Sequence, residues 1–484
     1  MRSRRTARPH TSVRNDRMGS LRALALAGLL AVTLATGAGA ADRMWVGFTD
    51  DPTFRFGHDR QANLDLAARS GATIIRTVVI WGTVARSRPA DATDPFDPAY
   101  HFDDLDELVR NAQAHGLEVL ITIWGTPAWA NRGRGPQYAP TDASDLQDFA
   151  QALASRYSGR YPGYPFVRFF GIWNESNLST FLRPQFDASG RIVGPAVYAR
   201  LAAAGYAGIK AGNPEAQVAI GETSSNGRQK HVAGLTDAVA PGLFAELVAR
   251  ADPTLRFDAW AQHPYPFPAN RPPTQVVAWP NVTLTSLGKL ETALDDAFGR
   301  KGIPIWITEY GSETQPGEPR GVTEDQQADF LPQAVAIARR DPRVQMFIWF
   351  VFRDSPDSAW QSGLYREDGS PKPAQAAWPT AVGPLNARNG KVTARGGTTP
   401  VVTVYIRDFC ANNPAGAAVG TTTRVRLAGQ LVGVRQARLP LGLDCTVHVR
   451  LPVVVQRGRT YAATITLNVG GGNAATRGIT VVGT

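Results

Sequence analysis

From Trp45 to about Val351, short runs of β-branched and aromatic residues alternate with longer stretches in which apolar residues recur every three or four positions. That alternation marks parallel strand–helix units: strands covered on both faces need continuous apolar runs, whereas each covering helix needs one apolar stripe. Eight strand candidates are present: Trp45–Phe48, Thr73–Trp81, Glu118–Trp124, Val167–Trp173, Ala216–Gly221, Phe257–His263, Ile303–Glu309 and Val344–Phe352. Eight is the number that closes a (β/α)₈ TIM barrel. Between them, Asp142–Tyr157 carries Leu146, Phe149, Leu153 and Tyr157 on one face, and Leu287, Leu290, Leu294 and Phe298 repeat that spacing. Thr323 with Gln326 has the pattern of a capping box, and Pro332 is expected to kink that helix or end its first half.

Beyond Trp378 the pattern changes. Gly383-Pro384 and then Gly396 to Pro400 form a turn-rich connection, followed by Thr, Val and Arg in near alternation. Val401–Ile406, Thr422–Leu427, Thr446–Val455 and Tyr461–Val469 are the clearest strands, with no helical period between them. The expected fold class is α/β: a (β/α)₈ barrel over 41–382, a linker over 383–399 and an all-β sandwich domain over 400–484.

The 484 residues, 43% of them apolar, suffice for one large core and a smaller one. The net charge of +10 suggests a polyanion partner until it is located. Seven arginines against Asp16 give the first forty residues +6, leaving +4 for the rest, without Lys/Arg blocks. On that reading no nucleic-acid partner is expected. The basic start is followed by the apolar run Leu21–Leu34 and by Ala38-Gly39-Ala40, the three parts of a secretory signal over 1–40. The run falls short of the ~20 residues a membrane span needs, so a secreted or cell-surface location without a stable span is expected over a permanent anchor. Cys410 and Cys445, the only cysteines, are compatible with one disulfide in an exported protein; two buried thiols are the alternative.

In such a barrel, chemistry sits at the C-terminal ends of the strands. Glu175 closes Phe169-Phe170-Gly171-Ile172-Trp173-Asn174 at the fourth strand, and Glu309 closes Ile303-Pro304-Ile305-Trp306-Ile307-Thr308 at the seventh. Glycoside hydrolysis needs one protonated carboxyl for the leaving oxygen and a second below the sugar ring, which this pair would supply. A metal-ligand cluster, a Gly-x-Ser-x-Gly elbow and a phosphate-binding Gly-Lys-Ser/Thr loop are all missing, and neither metal nor cofactor is expected. Glu222, ending the fifth strand, is the rival carboxylate and is read as a rim or supporting residue.

Trp173-Asn174-Glu175 with Ile307-Thr308-Glu309-Tyr310-Gly311 resembles the fourth- and seventh-strand signatures of clan A glycoside hydrolases, closest to families 39 and 5. The resemblance spans about Trp45 to Trp378. It implies a retaining enzyme in which Glu175 is the general acid/base, Glu309 the nucleophile and Asn174 a partner of the sugar 2-hydroxyl. It further implies that Arg76 keeps Glu309 charged, that His263 and Tyr265 match a sixth-strand His-x-Tyr whose tyrosine touches the nucleophile, and that Trp349 is an apolar floor under the sugar. Arg76 could instead be a structural ion-pair residue and His263 a satisfied core histidine. Among Trp81, Trp124 and Trp129, Trp124 is chosen as a sugar platform, the others as packing. The expected function is secreted, retaining hydrolysis of O-glycosidic, β-type linkages in an oligo- or polysaccharide. The alternative is a non-catalytic carbohydrate-binding or cell-surface protein on the same scaffold. The C-terminal domain is either a carbohydrate-binding module or a structural sandwich; its strands contain no tryptophan and few aromatics, so the structural role is preferred, and its arginines could attract an acidic glycan, although a solvated surface is expected.

Overall fold

Eight parallel strands close a barrel in chain order: β1 (Trp45–Thr49), β2 (Ile74–Ile80), β3 (Glu118–Trp124), β4 (Phe169–Ile172), β5 (Gln217–Thr223), β6 (Ala259–Gln262), β7 (Ile305–Tyr310) and β8 (Val344–Phe350), with β8 returning to β1. The computed structural model describes residues 44–356, 360–382, 391–405, 416–442, 446–468 and 474–484. The expected export signal, Cys410 and Cys445 lie outside the described residues.

Side chains alternate across each strand, so every second residue enters the barrel. Trp45, Ile74, Leu120, Phe169, Ala219, Trp306, Met346 and Ile348 are buried in one apolar cluster. Their neighbours Val46, Ile75, Ile121, Phe170, Ile220, Phe347 and Trp349 pack outward among the helices in another. Near the strand N-termini Trp45, Phe169 and Trp306 meet edge to face, ring centroids 5.3 and 5.4 Å apart. These rings fill the bottom of the barrel with apolar area.

The helices follow the apolar stripes: Ser144–Arg156 buries Leu146, Phe149 and Leu153, and Leu287–Phe298 buries Leu287, Leu290 and Leu294. The Thr323 capping box forms, with Gln326 N–H donating to Thr323 Oγ1 at 3.1 Å and Thr323 N–H to Gln326 Oε1 at 2.9 Å. Pro332 does not end that helix, which continues from Glu324 to Arg340. A proline inside a helix removes one N–H donor, and here the turns on either side carry on without it.

The C-terminal region pairs a five-stranded sheet, ordered β12 (Gln430–Pro440), β11 (Ala418–Leu427), β14 (Thr460–Asn468), β15 (Ala474–Gly483), β9 (Lys391–Ala394), with a two-stranded sheet of β10 (Val401–Tyr405) and β13 (Thr446–Arg450). Val402, Val404, Val447 and Val449 bury against Val419, Val425, Ile465 and Leu467 to form its core. β9 falls inside the expected linker and runs parallel to β15. β12 was not expected as a strand because its residues lack a buried face, being exposed or half-exposed throughout. Among the described residues no helix is long and apolar enough to cross a membrane.

Candidate active site

Strand β4 ends in a turn that few side chains tolerate: Trp173 has φ 73° and Glu175 φ 36°, the left-handed region that a branched or bulky residue enters only at a cost. Surrounding bonds hold it. The indole N–H of Trp173 and that of Trp124 both donate to the Phe181 carbonyl, at 2.8 and 3.1 Å, and Ser176 Oγ donates to the Gly221 carbonyl at 2.6 Å. The turn therefore faces Asn174 and Glu175 into the barrel mouth, where both line a cleft.

Two irregularities bring further carboxylates inward. On β7 the register with β8 shifts between Ile307 and Tyr310, because three steps on β7 span two on β8. Such a bulge re-aims side chains, and Thr308 and Glu309 both reach the interior. On β5 the shift lies between Gly221 and Thr223, with Gly221 at φ 95° and Glu222 at φ 45°. Glu222 then points under the site with 0% exposure. Gly171 makes room for it: a Cβ there would stand 2.5 Å from Glu222 Oε1.

Arg76, fully buried on β2, ties these groups together. Its guanidinium donates to Glu309 Oε1 at 2.7 Å, Asn174 Oδ1 at 2.8 Å, Glu222 Oε2 at 3.0 Å and Thr122 Oγ1 at 3.0 Å. His263 lies across from it: Nδ1 is 3.3 Å from Glu175 Oε1 and 3.4 Å from Glu309 Oε2, and Nε2 is 3.1 Å from both Glu222 Oε2 and Thr308 Oγ1. The Tyr265 hydroxyl donates to Glu309 Oε2 at 3.1 Å. Glu309 thus has Arg76 on one oxygen and Tyr265 on the other, whereas Glu175 has no bond from Arg76.

The titration of these groups follows from their neighbours. Burial pulls the His263 imidazole down, but the Glu309 charge and the hydrogen bonds to Glu175 and Glu222 carry it up to about 9, so it is a cation at neutral pH. Burial pushes Glu222 up, yet the Arg76 charge and the bonds from His263 and Thr308 hold its carboxyl below the usual range. Burial and the charges of Glu309 and Glu175 push the Tyr265 hydroxyl well above its ordinary value, so it stays a donor. Arg76 and His263 thus stand among three carboxyl groups, each within 3.4 Å of at least one of these side chains. Glu175, His263 and Glu309 also come within metal-ligand reach of one another.

Above these groups opens a cleft of ≈ 700 Å³ whose lining includes Trp124, Tyr265, Phe350 and Trp360, within the range of small-molecule sites. Trp349, expected as the floor of this cleft, is instead fully buried among the helices, with its indole N–H on the Ser362 carbonyl at 2.8 Å. The reason is the two-residue period: Met346 and Ile348 point inward, so 349 points out and 350 in. Phe350 and Trp360 take the place expected of it, their rings 5.7 Å apart, and Trp360 also packs on Tyr265 at 5.0 Å. Glu313 is a further cleft residue that the sequence did not single out, although it lies four positions after Glu309. Burial and the charge of Glu318 raise its carboxyl to about 7.

Three comparisons bear on this geometry. A family model described as cellulase (glycosyl hydrolase family 5) matches residues 40–351. A family 39 glycoside hydrolase from Bacteroides cellulosilyticus WH2 has a similar structure, with 19% identity, TM-score 0.52, and coverage of 85% of this chain and 81% of that one. A glucosidase from Croceicoccus marinus superposes with TM-score 0.54 at 14% identity, over 89% of this chain and 96% of its own. A variant family 5 enzyme from Streptomyces cattleya, in complex with Manb1-4GlcNAc, gives TM-score 0.50 at 20% identity, over 74% and 86% of the two chains. In sequence, 133 residues are 26% identical to the chloroplastic beta-glucosidase-like SFR2 of Oryza sativa subsp. japonica, a match covering 26% of this chain and 19% of that protein's length.

Proposed function

Because the chain belongs to the cellulase family, glycosyl hydrolase family 5, of clan A, we propose that it is an exported retaining glycosidase that cleaves β-linked oligo- or polysaccharides at the Glu175–Glu309 pair. One oxygen of each carboxyl lies within 4.8 Å of the other. Retaining enzymes hold the two about 5–5.5 Å apart and inverting ones about 6.5–9.5 Å, to admit a water. With their nearest oxygens no more than 4.8 Å apart, the two carboxyls are close enough to suit the retaining geometry, and this closeness is the observation that carries the proposal.

The roles divide by environment. Glu309, with Arg76 and Tyr265 donating to it, is stabilised as an anion and attacks the anomeric carbon. Glu175 gives its proton to the glycosidic oxygen as the bond from that oxygen to the anomeric carbon breaks. In the second step Glu175 takes a proton from water, whose oxygen attacks the anomeric carbon and frees Glu309. Asn174, fixed by Arg76 at 2.8 Å, keeps its amide N–H groups for the sugar 2-hydroxyl. Residues 1–40 have the composition of an export signal and motivate the extracellular location. Both glutamates reach the cleft, which weighs against the non-catalytic alternative.

Glu175→Ala tests the assignment. It is expected to lower kcat on substrates with poor leaving groups by about 10²–10⁴-fold, the range of lost general acid–base catalysis, while activated aryl glycosides still form the intermediate. Azide, small enough for the vacated space, should then restore turnover and give a glycosyl azide of retained configuration. Equal losses on good and poor leaving groups, with no response to azide, would remove Glu175 from this role. For the cleft wall, Trp360→Ala is expected to raise KM about tenfold, the equivalent of ~1.4 kcal/mol of lost sugar-face contact. Trp349→Phe should leave KM unchanged, and the reverse pattern in steady-state kinetics would return the floor to Trp349.

A further inference from the structure

The charge left after the first forty residues is not evenly spread, as the +4 total suggested. Residues 391–484 hold ten arginines and one lysine against Asp408 and Asp444 alone, +9, so residues 41–390 carry −5. Among the described residues the sandwich has no acidic side chain at all. Arg424, Arg426, Arg435, Arg438 and Arg450 are all exposed. This division strengthens the acidic-glycan alternative over a merely solvated surface, because a surface of one sign attracts counter-charge.

The cations are also placed. On β11, Val419, Thr421, Thr423 and Val425 are buried while Arg424 and Arg426 are exposed. On β12, Arg435 sits opposite Thr423 and so belongs to the inward side, next to the gap between the two sheets. There it lines a groove of ≈ 270 Å³ with Arg450, His448, Thr421 and Thr423. β12 is an edge strand, and Arg438 adds a further exposed cation on its opposite face.

We propose that this groove binds an acidic polysaccharide, with Arg435 and Arg450 pairing its carboxylate groups and the threonine hydroxyls its neutral ones. A guanidinium is the side chain best shaped for a carboxylate, through two parallel hydrogen bonds. Neutral glycans and single-stranded nucleic acids are gripped by stacking on rings, and the described sandwich residues contain no tryptophan or phenylalanine; neither Tyr405 nor Tyr461 lines the groove. Choosing a sugar polymer among polyanions rests on the glycosidase reading. The barrel would then act on chains that the sandwich holds by charge.

The test is binding of the full chain, carrying Glu309→Ala so that no polymer is degraded, to polygalacturonate, with dextran, phosphatidylglycerol vesicles and single-stranded DNA alongside. Binding to polygalacturonate but not dextran is expected, weakened about tenfold by Arg435→Gln/Arg450→Gln and by salt that screens exposed charges. Arg424→Gln/Arg426→Gln, which removes the same charge outside the groove, should change it less than threefold or so. In the Glu309-containing parent, the groove substitutions should leave hydrolysis of small aryl glycosides unchanged, so loss of binding and loss of hydrolysis are read separately. No binding to polygalacturonate at low salt, equal weakening by the two double substitutions, or tighter binding to vesicles or DNA would each overturn the proposal.

Discussion

Glu309→Ala is expected to lower kcat on hydrolysable substrates by about 10⁴-fold or more, because it removes the group to which the anomeric carbon is transferred. Good and poor leaving groups should suffer alike, unlike the selective loss at Glu175. Alanine opens a space on the face of the sugar opposite the leaving group, beside Arg76, a buried cation bonded at 2.7 Å to the missing carboxylate. An added small anion entering there would attack directly and invert the anomeric centre. Azide should therefore give opposite anomers with the two variants: retained with Glu175→Ala and inverted with Glu309→Ala. Proton NMR of the glycosyl azides reads this without reference to rate. If Glu309→Ala keeps a tenth or so of the parental kcat, or both variants give the same anomer, the double-displacement assignment fails.

The parts of this site that were legible in the sequence are those set by strand endings. Trp173-Asn174-Glu175 and Ile307-Thr308-Glu309 stop apolar runs of the right length, and polar groups at strand C-termini in a barrel converge by geometry alone. What was misread depends on the phase of the two-residue period within a strand, and on where it slips. Trp349 was placed in the cleft although Phe350 has the inward position, and no residue of β8 announces that phase. Glu309 and Glu222 reach the interior through bulges on β7 and β5; only Gly221, beside Glu222, hints at one in sequence. Trp360 lies in a connection whose course depends on the whole barrel. β12 lacks alternation because, as an edge strand, it buries so little. The arginines of the sandwich were visible in sequence, but summing their charge with an acidic barrel hid how one-sided they are.

Arg76→Met should produce the largest loss of stability of any single substitution at the site, about 3–5 kcal/mol near neutral pH, the cost of leaving buried carboxylates without their cation. The side chain of Glu222 has 0% exposure and that of Glu309 11%, and both bond Arg76 directly. Without it His263 alone would face the three carboxyl groups. The pH dependence should reverse sign. In the parent, Glu222 is held below its ordinary range, so its contribution is present above the unfolded pKa and is lost as pH falls through the folded one. In Arg76→Met, burial is no longer outweighed and the folded pKa of Glu222 rises above the unfolded value, so stability falls as pH rises. Urea unfolding of parent and variant across the acid range would show the gap narrowing toward low pH. Adding Glu222→Gln removes one buried charge and should recover more than half of the lost stability, while leaving kcat low because Glu309 still lacks its 2.7 Å partner. Separation of the two readouts in that double variant is the decisive feature: recovery of activity along with stability would make Arg76 a structural tie only, and a stability loss below ~1 kcal/mol in Arg76→Met would mean that the carboxylates shed their charge instead of depending on it.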